Sequence, residues 1–130
     1  MAERLLLCTD LDRTLIPNGP QPESPDARGL FAALVADARV VLAYVTGRHR
    51  ELVEQAMDQY GLPQPDFVIG DVGTTIYRIA PDGTWLTDST WEEQIGSDWN
   101  GMSNLDLQAL LRDISALHPQ EAHKQNTHKL

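Results

Sequence analysis

Two apolar runs that do not alternate, Leu5-Leu6-Leu7-Cys8 and Val40-Val41-Leu42-Ala43-Tyr44-Val45, constrain this chain most. A strand with one wet face alternates apolar and polar residues. A continuous run is instead the pattern of a strand covered on both faces, as in a parallel sheet. Between the two runs, Leu30, Phe31, Leu34 and Val35 recur at helical spacing. Ser24 reads as the N-cap of that helix, Pro25 as its first residue and Asp26 as part of its first turn. After the second run, Leu52, Val53, Ala56, Met57 and Tyr60 mark another helix, which Gly61 and Pro63 end. Phe67-Val68-Ile69 reads as a third strand. Strand, helix, strand, helix, strand is the order of a parallel α/β sheet.

The pattern then changes. Thr75 to Ile79 and Thr84 to Thr87, joined around Pro81-Asp82-Gly83, predict a β-hairpin. Gly70-Asp71 is the turn that leads into it. Beyond residue 88, Trp91, Ile95 and Trp99 recur at helical spacing, with Thr90 and Glu93 as a capping box. Leu107, Leu110, Leu111, Ile114 and Leu117 predict a further amphipathic helix, stopped near Pro119. Residues 120–130 are polar and show no period.

Composition narrows the functional classes. A net charge of −9 over 130 residues argues against a nucleic-acid groove, which needs clustered Lys and Arg. An acidic protein still binds a phosphorylated metabolite when a divalent cation supplies positive charge. The single Cys8 forms no internal disulfide and fits a reducing, intracellular setting. The run at Leu5 is too short for a signal peptide or a membrane span. The expectation is a soluble, cytoplasmic protein with a small-molecule partner, no nucleic acid and no membrane.

In a parallel α/β sheet, ligands sit at the carboxyl ends of the strands. Asp10 and Asp12 follow the first strand, and Thr46-Gly47-Arg48 follows the second. Adjacent strand ends bring these side chains to one pocket. The helix that begins near Arg48 offers backbone N–H groups to a phosphate. A carboxylate repels a phosphate unless a divalent cation bridges them. Given such a cation, Asp10 is placed to attack phosphorus and form an aspartyl-phosphate. Asp12 is placed to protonate the leaving oxygen and then deprotonate water. That second role asks for a pKa raised toward neutrality, which a nearby like charge promotes. The Thr46 hydroxyl suits a phosphoryl oxygen. Arg48 has two readings, a ligand-facing cation or a surface partner for Glu51.

Asp10-Leu11-Asp12-Arg13-Thr14-Leu15 resembles the DxDxT signature of the haloacid-dehalogenase-like (HAD-like) phosphatases, and Val45-Thr46-Gly47-Arg48 resembles their second motif. Val72-Gly73-Thr74-Thr75-Ile76-Tyr77 and Gln125-Asn126-Thr127-His128-Lys129-Leu130 are similar to one branch, the sucrose-phosphate phosphatases and related sugar-phosphate phosphatases. The resemblance implies the N-terminal half of a doubly wound, Rossmann-like core over residues 1–88 and the start of an α/β cap over 89–130. It implies a magnesium-dependent phosphatase of a sugar phosphate. Asp10 is then nucleophile and Mg2+ ligand. Asp12 is general acid/base and binds Mg2+ through its backbone carbonyl. Thr14, Thr46, Gly47 and Arg48 serve the phosphate, and Asn126, His128 and Lys129 the sugar.

The chain departs from that family, whose third-motif Lys and fourth-motif acidic pair have no counterpart here. Sheet physics points the same way, since the first strand has only one predicted neighbour. The expectation is therefore the N-terminal portion of a larger hydrolase, with the first strand central in the complete sheet. Thr75 stands where the sucrose-phosphate branch carries Glu. Two other readings stay open: a receiver-like phospho-accepting domain with Asp71 as acceptor, and a catalytically inactive binding fragment.

Overall fold

The computed structural model describes residues 3–130. The chain forms two compact units, Met1–Thr87 and Asp88–Leu130.

The first unit is a five-stranded mixed sheet. Its strands are β1 (Leu5–Thr9), β2 (Val40–Val45), β3 (Phe67–Gly70), β4 (Thr75–Ile79) and β5 (Trp85–Thr87), in spatial order 1-2-3-4-5. β1, β2 and β3 run parallel, with Thr9 opposite Tyr44 and Val45 opposite Ile69. β4 and β5 form the predicted hairpin and continue the sheet antiparallel to β3. In a receiver-like, flavodoxin-type order the first strand lies between the second and third. Here β2 occupies that place, which removes the receiver reading.

β2 is the buried strand that its run predicts: Leu42, Ala43 and Tyr44 are almost fully covered. β1 differs. Leu5 is 51% and Leu6 61% exposed, because β2 is its one sheet partner among the described residues. Within this chain β1 is an edge strand rather than a central one. Leu11, Ile16, Leu42, Tyr44, Val53, Ala56 and Val68 pack together as the core, with Leu7 of β1 against them.

Helix α1 spans Ala27–Val35 and α2 spans Arg50–Tyr60. α1 starts later than its Ser24-Pro25-Asp26 signal. Asp26 is the N-cap without a side-chain cap bond, and the Ser24 carbonyl accepts the Ala27 N–H at 3.1 Å in a preceding turn. Phe31 and Val35 pack on the core, whereas Leu30 and Leu34 are exposed. α2 ends as predicted: Gly61 takes φ 61°, the left-handed cap that a residue without Cβ adopts at least cost.

In the second unit, α3 spans Ser89–Asp98 and α4 spans Asn104–Leu111. The cap of α3 is Asp88, whose carboxylate accepts the Trp91 N–H at 3.1 Å, so the Thr90/Glu93 box does not form its start. α4 carries a capping box instead, between Ser103 and Asp106. It stops before Ile114 and Leu117, which lie exposed outside any helix. The polar tail is ordered by Asn104, whose amide donates to the carbonyls of Asn126 (3.0 Å) and Lys129 (2.8 Å). Among the described residues, no helix is long and apolar enough to cross a membrane.

Candidate active site

Because β1 and β2 are parallel and in register, their carboxyl ends finish side by side. A cavity of about 540 Å³ opens there, lined by Cys8, Thr9 and Asp10 from the first strand end and by Val45, Thr46 and Gly47 from the second. Val72 and Gly73, after β3, complete the wall. The three parallel strands thus deliver one loop each to a single pocket, as the topology requires.

Asp10 is exposed, and its Oδ1 accepts the Leu11 N–H at 2.7 Å. The turn that follows is tight. The Leu11 carbonyl accepts N–H groups from Thr14, Leu15 and Ile16 at 3.3, 3.0 and 2.9 Å. Leu11 itself is fully buried, so the residue between the two aspartates anchors the motif to the core. Thr46 is buried, and its Oγ1 accepts the Arg48 N–H at 3.2 Å. The hydroxyl proton is left to donate to an anionic oxygen. Its backbone N–H donates to the Ile69 carbonyl at 2.9 Å, which pins the β2 end to β3.

Asp12 behaves differently from the expectation. Arg48 grips its carboxylate with two hydrogen bonds, Nε to Oδ2 at 2.8 Å and Nη2 to Oδ1 at 2.6 Å. The Arg48 hydrogen bonds hold the Asp12 carboxyl below the usual carboxylate range, with partial burial opposing them and the charges of Arg48 and Arg13 adding to them. No like charge raises it toward neutrality. The same pair raises the Arg48 pKa. Arg48 is therefore partnered by Asp12, 36 residues earlier in the chain, and not by Glu51.

The remaining predicted residues lie elsewhere. Thr14 borders a separate cavity of about 280 Å³ with Arg13 and residues 15–17, 21–24 and 27–28. Asn126, His128 and Lys129 belong to the second unit. The His128 ring packs edge-on against Trp99 at 5.1 Å, and the His128 backbone N–H donates to Asn126 Oδ1 at 2.9 Å. Asp71 follows β3 in one 3-10 turn, Asp71–Gly73, and is buried. Thr75 is also buried, opposite Gly70 at the start of β4. Val72 and Gly73 were not singled out as site residues from the sequence. Their signal was position, directly after a parallel strand.

A hard cation such as Mg2+ binds through one or two carboxylates while keeping several waters and taking phosphate oxygens. Asp10, an exposed carboxylate on the cavity wall, fits that donor chemistry, with the Asp12 backbone carbonyl two residues on. No cluster of three or more His, Cys, Asp or Glu side chains is assembled for a metal among the described residues.

Comparison with known proteins identifies the family. The sequence model of the sucrose-6F-phosphate phosphohydrolase family matches residues 3–130. A HAD-like hydrolase of Nitrosococcus oceani is 49% identical over 130 residues, which is all of this chain and 35% of that protein. The mannosylfructose-phosphate phosphatase of Agrobacterium fabrum is 38% identical over 72 residues, 55% of this chain and 28% of that one. The sucrose-phosphatase of Synechocystis sp., solved with sucrose and phosphate, superposes with a TM-score of 0.74 at 31% identity, covering 96% of this chain and 46% of that one. The chain thus spans about a third of the length of its 49%-identical relative. On the match over residues 3–130, the chain belongs to the sucrose-6F-phosphate phosphohydrolase family of HAD-like hydrolases.

Proposed function

We propose that this chain carries the nucleophile and the phosphate-binding threonine of a sugar-phosphate phosphatase. The observation that carries the reading is the meeting of Asp10 and Thr46 in one cavity at the ends of two adjacent parallel strands. Residues 1–88 then form the N-terminal portion of the catalytic core and 89–130 the start of a cap. Family membership supports a sugar phosphate as substrate, and sucrose 6-phosphate is the first to try. Thr75 marks where the preference departs toward another sugar. The single Cys8 supports a cytoplasmic setting.

In this reading the phosphoryl group enters with one oxygen on the Thr46 hydroxyl. A carboxylate oxygen of Asp10 attacks phosphorus, an O–P bond forms, and the bond to the sugar oxygen breaks. The departing oxygen takes a proton from Asp12. Asp12 then removes a proton from water, which releases phosphate and restores Asp10. The Asp10 carboxylate and the Asp12 backbone carbonyl would hold Mg2+, which would supply the positive charge that lets a carboxylate approach a phosphate. Arg48 grips Asp12 and favours its carboxylate form, the form needed for the second step. The first step requires its carboxyl to leave Arg48 and take up a proton from solvent, which it then passes to the sugar oxygen.

Phosphate release from a panel of sugar phosphates, with Mg2+ and with a chelator, tests the reading. The expected result is release that the chelator abolishes. Binding of these sugars without release from any of them would favour the inactive binding fragment.

A further inference from the structure

Val72 is a residue of the first unit that neither packing nor propensity explains. It is 67% exposed, so burial contributes little to it. Its φ of 55° lies in the left-handed region, which a β-branched residue enters only under strain. Asp71 before it, at φ 52°, and Gly73 after it, at φ 92°, occupy the same region. Neighbouring bonds hold the turn there. The Asp71 N–H donates to the Arg48 carbonyl at 2.9 Å, and the Thr74 N–H and hydroxyl both donate to the Asp71 carbonyl, at 3.2 and 2.9 Å. Strain that the surroundings enforce concentrates at ligand-contacting segments.

The turn sets Val72 over the phosphate motif. A Cβ built on Gly47 would meet Val72 Cγ1 at 3.4 Å. Val72 lines the same cavity as Asp10 and Thr46. That cavity offers two kinds of surface, the carboxylate and hydroxyl of Asp10 and Thr46, and the methyl groups of Val45 and Val72. A phosphoryl group matches the first kind and gains nothing from the second. The carbon skeleton of an alcohol gains from the second.

We propose that Val72 is a specificity-determining residue for the alcohol part of a phosphate monoester. Its methyl groups pack on the C–H face of a sugar ring whose phosphoryl end sits at Asp10 and Thr46. The enforced backbone keeps those methyl groups at the cavity rim. This rests on the phosphatase reading above and adds the residue that reads the leaving group.

The test uses Val72→Gly and Val72→Asn, because Gly and Asn both tolerate the left-handed region. Melting temperature is measured alongside calorimetric affinity for inorganic phosphate and for a hexose 6-phosphate, with Mg2+ present. The expected result is a Tm raised by about 4–8 °C in both variants, hexose-phosphate affinity about tenfold weaker, and phosphate affinity unchanged. An unchanged or lower Tm in both variants would show that the turn stores no strain and overturn the proposal. Retained hexose-phosphate affinity, or an equal loss for both ligands, would overturn it while leaving the phosphatase reading intact. Wild-type protein that binds neither ligand would overturn both.

Discussion

The Arg48–Asp12 pair gives the sharpest quantitative prediction, because its strength follows from geometry alone. Two charge-assisted hydrogen bonds of 2.8 and 2.6 Å join side chains that are 24% and 29% exposed. An exposed ion pair contributes about 0.2–1 kcal/mol, since solvent screens it. A hydrogen bond to a charged group contributes about 1.5–3 kcal/mol when shielded. This bidentate pair stands between those limits, at about 2 kcal/mol. Arg48→Met keeps the aliphatic stem and removes the guanidinium. It also removes the bond from Nη1 to the Leu52 carbonyl at 3.2 Å. A double-mutant cycle with Asp12→Asn, read by urea unfolding, cancels that loss and isolates the pair. The predicted coupling is about 1.5–3 kcal/mol at pH 7. The folded Asp12 pKa lies below its unfolded value of about 3.9. The stabilisation is therefore complete above that value and fades as pH falls through the folded pKa. A coupling below about 0.5 kcal/mol at pH 7, or one that grows on acidification, would refute this account of the pair.

Three further outcomes follow from the same structure. Thr46→Ala is expected to weaken binding of inorganic phosphate by about 1–3 kcal/mol, with Thr46→Ser restoring most of it; titration calorimetry would expose an error if the alanine variant bound normally. Leu11→Ala leaves a cavity under the aspartate turn and is expected to cost about 2–5 kcal/mol in chemical unfolding; a cost below about 1 kcal/mol would mean the motif is not anchored through this side chain. Ser103→Ala breaks the capping box of α4 and is expected to cost about 0.5–2 kcal/mol, read as lost helical signal and lower stability of the second unit, whereas an unchanged melt would show that the box contributes nothing.

Much of the first unit was legible because its signals are local. The run at Val40 forces a buried strand, and Gly61 forces the end of α2. The hairpin around Pro81-Asp82-Gly83 follows from turn chemistry. The meeting of Asp10 and Thr46 in one cavity was legible because parallel strand ends converge by topology, whatever the side chains between them. What was missed depends on partners far away in the chain. The exposure of Leu5 and Leu6 is set by what flanks β1, and their own hydrophobicity says nothing of that. Asp12 was assigned a raised pKa from the carboxylate beside it in sequence, but a guanidinium 36 residues later reverses the sign. The starts of α1 and α3 were each misplaced by two residues because several capping residues stand in a row at each start. At α3, Asp88 sits where its carboxylate reaches the Trp91 N–H. α4 ends before Ile114 because periodicity alone does not hold a helix that buries none of its residues. Val72 was passed over because left-handed backbone at a valine has no sequence signal.

The most direct test of Asp10 as the nucleophile is chemical trapping during turnover. Protein mixed with a sugar phosphate and Mg2+ is quenched with borohydride, which reduces an acyl-phosphate to the alcohol, and the modified residue is located by peptide mass spectrometry. The account predicts homoserine at position 10, absent without substrate and absent in Asp10→Asn, whose melting temperature stays at the wild-type value. Phosphate release with no trapped residue, or trapping at Asp12 or Asp71 instead, would contradict it.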